Sequence, residues 1–117
     1  YEIIAKYSGE FPVILHSWTG GNKWTKKFIE LGVYFSLSGI LTYETATDLN
    51  LSVKKIPLDR LLLETDTPYL APGIHKGKNN KPEYIVETAK HLAQLREITL
   101  QELSDITIKN TNTMLGK

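Results

Sequence analysis

Apolar and polar residues follow two repeating patterns along the first 66 residues of the chain. The apolar runs "FPVILH" and "RLLLETD" and the alternating segment "VYFSLSG" are typical of strands. From Asn22 onward, Trp24, Phe28 and Leu31 recur at helical spacing, and a weaker helical segment covers residues 44–50. The order strand, helix, strand, helix, strand builds a parallel sheet, so the sequence predicts an α/β fold.

The residues after the third strand predict a long loop and two further helices. The loop "TPYLAPGIHKGKNNK" is polar and long for a compact domain, and such loops are usually functional. Pro82 suits the first turn of a helix. An apolar stripe continues that helix, and its members are Ile85, Ala89, Leu92 and Ala93. Thr99 and Glu102 have the spacing of a capping box and predict the start of the last helix.

Polar side chains follow each predicted strand. His16 ends the first strand, Ser36 and Ser38 end the second, and Glu64 and Asp66 end the third. The carboxyl ends of parallel strands meet at one edge of the sheet, so these side chains are expected to lie close together. Imidazole nitrogen and carboxylate oxygen are ligands for zinc, magnesium or manganese. The pattern therefore predicts a divalent cation site at this edge.

Each of these residues also has a purely structural interpretation. His16 could be a histidine that only packs, Glu64 could pair with a basic side chain or cap a helix, and Asp66 could bond its own backbone in a turn. The two serines could simply be small residues in a crowded interior. Without a metal site, all of these separate structural explanations would have to be true at the same sheet edge. One metal site explains the residues together and is therefore the favoured interpretation.

The loop "HKGKNNK" is the second candidate functional feature. His75, Lys76, Lys78 and Asn80 follow the predicted metal ligands directly, so they are expected at the mouth of the same cleft. Lysine ammonium and asparagine amide groups contact phosphate oxygens of nucleic acids. The loop is therefore a candidate DNA contact, and its alternative is a solvated loop without a ligand.

Composition excludes several classes of function. The chain has 117 residues, with 14 Lys and Arg against 13 Asp and Glu, so no global charge attracts nucleic acid or a membrane. It has no cysteine, which excludes disulfides, thiolate metal sites and a cysteine nucleophile. No apolar stretch approaches a membrane span and no leader opens the chain, so we expect a cytoplasmic location. Tyr1 opens the sequence within an apparent helix, which indicates a fragment of one domain.

Four segments resemble the C-terminal part of the TatD family of metal-dependent deoxyribonucleases. They are "PVILHSWTGG", "GVYFSLSGILTY", "IPLDRLLLETDTPYLAP" and "HKGKNNKPEYIVETAKHLAQL", and "LLLETDTPYL" is close to the family's most specific signature. The resemblance implies the last three βα units of a (β/α)₈ TIM barrel that binds one or two divalent cations (Mg, Mn or Zn). It makes His16 a metal ligand and Asp66 a ligand and general base for hydrolysis of DNA. We also expect Glu64 and Ser38 to support these two residues from positions next to them.

The sequence also departs from the family's pattern. The family usually has an arginine near Asn79 and a glutamate at Lys81, and its remaining metal ligands come from an N-terminal part that this sequence lacks. Three barrel strands leave two open edges and an inner surface with Ile14, Tyr34 and Leu62. We therefore expect the missing half of the barrel, or self-association, to cover them.

Two functions of other classes compete with the nuclease. One is a non-catalytic α/β module that binds nucleic acid or a protein. The other is an open doubly wound domain for a phosphorylated ligand, which lacks support because no glycine-rich dinucleotide turn follows a strand.

Overall fold

The three predicted strands form one parallel sheet in the order β1, β2, β3. In this computed structural model, which describes residues 1–117, β1 is Ile14–Leu15, β2 is Tyr34–Leu37 and β3 is Leu61–Leu63. Ile14 pairs with Tyr34, and Phe35 pairs with both Leu15 and Leu61. The α/β prediction with a parallel sheet is confirmed, although each strand is shorter than its apolar run.

Five helices flank this sheet, and four short 3₁₀ turns at 39–42, 58–60, 73–75 and 82–84 join them to it. The helices are α1 (Glu2–Tyr7), α2 (Asn22–Glu30), α3 (Thr47–Val53), α4 (Ile85–Leu95) and α5 (Leu100–Met114). Helix α3 begins later than the predicted residue 44, because the Ala46 N–H donates to the Tyr43 carbonyl in a turn. None of the helices is long and apolar enough to cross a membrane.

The core lies between one face of the sheet and the helices. Val33, directly before β2, and Phe35 and Leu37 within β2 belong to this core and are almost completely buried. Tyr34 and Ser36 point to the opposite face of the sheet, as the alternation of "VYFSLSG" predicts. Because the sheet is packed on this core, the polar residues directly after β1, β2 and β3 are held together at its carboxyl edge.

The apolar stripe predicted for α2 is only partly correct. Phe28 is buried, but the Trp24 side chain lies at the surface and is 46% exposed. Thr25 is fully buried in its place, because its hydroxyl accepts a hydrogen bond from the Trp18 indole (2.9 Å) and donates to the Gly20 carbonyl (3.3 Å). A satisfied threonine replaces the expected aromatic side chain in this helix interface.

The predictions for the last two helices are confirmed. Pro82 begins the 3₁₀ turn that leads into α4, and Ala89, Leu92 and Ala93 of its stripe are buried. Thr99 Oγ1 accepts the Glu102 N–H (3.0 Å) while Glu102 Oε1 accepts the Thr99 N–H (3.1 Å). This reciprocal capping box satisfies two backbone donors that α5 would otherwise leave unpaired.

Candidate metal centre at the sheet edge

The structure brings His16 and Glu64 together. His16 directly follows β1 and Glu64 directly follows β3, and His16 Nδ1 lies 3.7 Å from Glu64 Oε1. The Glu64 N–H donates to the Leu37 carbonyl (3.0 Å), which continues the parallel pairing beyond the strand. The His16 side chain is 83% exposed and the Glu64 side chain 21% exposed, so the pair opens to solvent on the histidine side.

Ser38 links the segment after β1 to the end of β2. Its hydroxyl is 2.9 Å from the Ser17 hydroxyl, and the Trp18 N–H donates to the Ser36 carbonyl (3.0 Å). Ser36 and Ser38 are both buried. These contacts hold the backbone next to His16 against the second strand.

Asp66 lies two residues beyond Glu64, in a turn after β3. Its carbonyl accepts the Tyr69 N–H (2.8 Å), and its φ of +57° is in the left-handed region. Non-glycine residues rarely adopt this conformation, although aspartate tolerates it better than most. The Asp66 side chain is exposed. The turn therefore presents a carboxylate to solvent beyond the edge where His16 and Glu64 meet.

The donor atoms at this edge suit a divalent cation but do not complete a site. One imidazole and two carboxylates are the nitrogen and oxygen ligands that zinc and manganese accept. However, no group of three or more His, Asp or Glu side chains in the chain is close enough to hold a metal ion. Residues 1–117 therefore do not form a complete metal site by themselves.

The structure corrects the expectation that Asn80 contacts substrate. Asn80 is only 4% exposed, and its Nδ2 donates to the carbonyls of Thr65 and Tyr69 (2.8 Å to Tyr69). Its own N–H donates to the Pro68 carbonyl (2.9 Å). Because both amide donors are used within the protein, Asn80 has none left for a phosphate.

The other predicted contacts of the basic loop differ in their exposure. The His75 ring stacks on the Tyr84 ring, with centroids 3.7 Å apart and an interplanar angle of 6°. Lys76 is exposed and its Nζ lies 4.7 Å from the centroid of the Tyr43 ring. Lys78 is exposed. The two lysines are therefore accessible to an anionic ligand, whereas His75 packs against the start of α4.

The loop after β3 is also attached to the segment after β2. The Tyr43 hydroxyl donates to the Ala71 carbonyl (2.8 Å), and Thr42 Oγ1 accepts the Gly73 N–H (2.6 Å). Gly39 packs so closely that an added Cβ would lie 2.3 Å from the Leu70 carbonyl oxygen. No motif in the sequence marks these contacts, since their partners are backbone groups about 30 residues away.

Burial shifts the pKa of three groups that sequence reasoning did not single out. It lowers the pKa of His91 and of Arg96 and raises the pKa of Tyr43. Arg96 nevertheless donates to the Val53 and Ile56 carbonyls (3.2 and 2.6 Å), which ties α4 to the end of α3. A cleft of about 510 Å³ beside His91 is lined by residues of α3 and α4 and the turn after α4, not by the strand-end residues.

Comparison with known sequences agrees with this geometry. The family profile described as "TatD related DNase" matches residues 1–116. The uncharacterized metal-dependent hydrolase BU355 of Buchnera aphidicola is 44% identical over 103 residues, which are 88% of this chain and 39% of that protein. The uncharacterized metal-dependent hydrolase YcfH of Escherichia coli K12 is 41% identical over 83% of this chain and 37% of its own length.

Solved structures show the same arrangement of elements. The TatD homologue YjjV from Escherichia coli K12 superposes with a TM-score of 0.84 at 26% identity, covering 97% of this chain and 45% of that one. A TatD family hydrolase from Entamoeba histolytica superposes with a TM-score of 0.81 at 19% identity over the same shares. The chain thus has the fold of part of a TIM-barrel hydrolase, and it spans less than half the length of these relatives.

Proposed function

This chain belongs to the TatD family, and we propose that it forms the C-terminal part of a metal-dependent hydrolase that cleaves DNA phosphodiester bonds. The observation that carries the proposal is the approach of His16 and Glu64 to 3.7 Å at the sheet edge that also carries Asp66. The names of the relatives support metal dependence, and the name of the family profile supports DNA as the substrate.

In this proposal His16 and Asp66 hold a divalent cation (Mg, Mn or Zn). The cation supplies Lewis acidity toward the phosphate and makes water easier to deprotonate. Glu64 Oε1 lies 3.7 Å from His16 Nδ1, which is longer than a hydrogen bond, and a closer approach would orient the imidazole and leave Nε2 for the cation. Further ligands come from outside these residues, because the chain has no complete group of three.

Asp66 is also the proposed general base. Its exposed carboxylate would accept the proton of the attacking water, and the lysines of the following loop would hold the substrate. Lys76 and Lys78 are exposed close to the turn in sequence, and lysine side chains neutralise backbone phosphates without reading base sequence.

The decisive experiment replaces Asp66 by Asn in a protein that carries this chain within a complete barrel. Amide and carboxylate have nearly the same shape, but only the carboxylate is a strong ligand and base. We expect the rate of oligonucleotide cleavage with Mn²⁺ or Mg²⁺ to fall about 10²- to 10⁴-fold, with an unchanged melting temperature.

Asp59→Asn is the matched control, because Asp59 is an exposed aspartate that precedes β3 instead of following it. It should retain full activity. Turnover of Asp66→Asn equal to that of the control would remove Asp66 from the mechanism.

A non-catalytic nucleic-acid-binding module is the second candidate, and the exposed Lys76 and Lys78 favour it. Divalent cations separate the two functions. A module would bind DNA equally well with and without Mn²⁺ and would not cleave it in the complete barrel, whereas the hydrolase requires the cation.

A further inference from the structure

The turn at Thr65–Tyr69 holds the proposed catalytic carboxylate in an uncommon conformation. Asp66 has φ +57°, and Leu70, directly after the turn, has φ +56°. Left-handed backbone is unfavourable at non-glycine residues, so it persists only where surrounding contacts impose it. Within the turn, the Tyr69 N–H donates to the Asp66 carbonyl (2.8 Å) and the Thr67 N–H donates to Thr65 Oγ1 (3.3 Å), and neither hydrogen bond reaches the rest of the fold. Other contacts must therefore hold Asp66 in place.

Asn80 provides those contacts from the far end of the loop. Its Nδ2 donates to the Thr65 carbonyl, 15 residues earlier, and to the Tyr69 carbonyl, 11 residues earlier. Its backbone N–H donates to the Pro68 carbonyl. Its Oδ1 in turn accepts the Lys81 N–H (2.9 Å), so the whole amide is satisfied. One buried side chain thus joins both ends of the turn on either side of Asp66.

We propose that Asn80 is a positioning residue, whose buried amide holds the turn at Thr65–Tyr69 so that Asp66 is presented at the carboxyl edge of the sheet. The inference rests on the proposed function, because it assigns a role to the neighbourhood of the proposed metal ligand. Contrary to what the sequence had suggested, Asn80 does not contact the substrate in this proposal, but acts by positioning Asp66.

Asn110 shows what a purely structural asparagine does in the same fold. It is equally buried, at 4%, and its Nδ2 also donates to two carbonyls, those of Leu58 (2.8 Å) and Leu61 (2.9 Å). These carbonyls lie before and at the start of β3, whereas those bound by Asn80 lie after its end. The two asparagines therefore match in chemistry and burial, and only Asn80 touches the segment with Asp66.

Loss of the Asn80 amide should open this turn locally. Asn80→Ala leaves the Thr65 and Tyr69 carbonyls without their donor, and buried unpaired carbonyls favour exposure to water. The left-handed conformation of Asp66 then keeps only the two local hydrogen bonds of the Thr67 and Tyr69 N–H groups. The sheet and helices keep their own contacts, so the change is expected to be confined to the loop.

Amide hydrogen exchange measured by NMR on the chain within a complete barrel tests the first step. The reporter is the Tyr69 N–H, and the reference is the Arg60 N–H, which donates to the Pro57 carbonyl beside the Asn110 contacts. In Asn80→Ala we expect Tyr69 protection to fall about tenfold or more relative to Arg60. Asn110→Ala should show the reverse pattern.

Paramagnetic broadening by Mn²⁺ tests the second step and works even for weak binding. In the wild-type chain Mn²⁺ should broaden the Asp66 and Ser17 amide signals more than those of α5. In Asn80→Ala the broadening of Asp66 relative to Ser17 should fall about threefold or more, and in Asn110→Ala it should stay unchanged. If Asn80→Ala does not fold, Asn80→Asp removes the donors while keeping the volume and the acceptor for the Lys81 N–H.

Two results would overturn the proposal. The first is equal loss of Tyr69 protection in the Asn80 and Asn110 variants, which would make Asn80 an ordinary stabilising residue. The second is an opened turn with unchanged relative broadening of Asp66. If Mn²⁺ does not selectively broaden signals at the sheet edge of the wild type, the proposal that this chain contributes metal ligands is wrong. The exchange data would still decide whether Asn80 holds the turn.

Discussion

His91 belongs to α4, and its Nε2 lies 2.6 Å from Oδ1 of Asn50 on α3. Because Asn50 Nδ2 already donates to the Leu41 and Ala46 carbonyls, Oδ1 is the acceptor and His91 Nε2 carries the proton. Burial lowers the pKa of His91, since desolvation disfavours the charged imidazolium. The folded state therefore prefers the neutral ring.

This preference predicts a dependence of stability on pH. The unfolded chain takes up a proton at His91 near its ordinary pKa of about 6.5, above the lowered pKa of the folded state. The contribution of His91 is thus fully present above pH about 6.5 and is lost as the pH falls through the lowered pKa. Melting temperatures between pH 8 and 5 should decrease less steeply for His91→Gln than for the wild type.

His75→Gln is the control for the loss of one imidazole from the chain. It should follow the wild-type curve more closely than His91→Gln does. A pH dependence of His91→Gln identical to that of the wild type would show that this histidine does not couple protonation to folding.

Gly39 predicts a steric effect at the contact between two loops. A Cβ at this position would meet the Leu70 carbonyl oxygen at 2.3 Å and the Pro72 nitrogen at 2.9 Å, both of them backbone atoms. Gly39→Ala should therefore lower the free energy of unfolding by about 1–3 kcal/mol, as overpacking does. Urea unfolding measures it, with Gly9→Ala as control, because nothing lies within 4 Å of a Cβ there.

The residues of the site differed in how far the sequence predicted them. The approach of His16 and Glu64 follows from two strand ends in a parallel sheet, which the apolar runs already indicated. The burial of Asn80 did not follow, because its partners are backbone carbonyls that only the folded turn brings near. An asparagine between lysines resembles a solvated residue until its hydrogen bonds are known.

At the scale of elements, the sequence predicted the type of each element better than its length. Helix α5 could be placed from Thr99 and Glu102 because a capping box involves only neighbouring residues. Strand β1 has only two residues although the run "FPVILH" has six, because strand length depends on where the neighbouring strand offers partners. Such pairing is a property of the tertiary structure.

The loop of residues 67–81 predicts a measurable effect on DNA binding. Lys78 is exposed, and one lysine that contacts one phosphate adds about 0.7 to 0.9 to the salt slope of binding. Lys78→Ala in the complete barrel should weaken binding to unrelated oligonucleotides equally and lower the magnitude of this slope by about one unit. Fluorescence anisotropy over a range of salt concentrations measures both.

Lys109→Ala, an exposed lysine on α5, is the control for the change of net charge. An identical plot of log K against log salt for the Lys78 variant and the wild type would favour the solvated loop.

At the scale of the whole molecule, the sheet has two open edges, since β1 and β3 each pair only with β2. The expected exposure of the inner surface is found only in part. Ile14 is 42% exposed, but Tyr34 and Leu62 are buried at 6% and 8%, and the Arg60 guanidinium lies 4.9 Å from the centroid of the Tyr34 ring. The apolar surface that a partner could cover is therefore smaller than on three bare strands. The open edges of β1 and β3 are the larger part of what the sheet leaves unpaired.

These edges and the incomplete ligand set lead to a prediction for the 117-residue chain purified by itself. Unpaired N–H and C=O groups along β1 and β3 favour pairing with another strand, so light scattering should show association that increases with concentration. Because no three ligands converge, a nuclease assay with Mn²⁺ or Mg²⁺ should show no cleavage, while the same chain within a complete barrel should be active. A stable monomer that cleaves DNA would contradict both the barrel-fragment interpretation and the need for further ligands, because it would show that His16, Glu64 and Asp66 suffice without them.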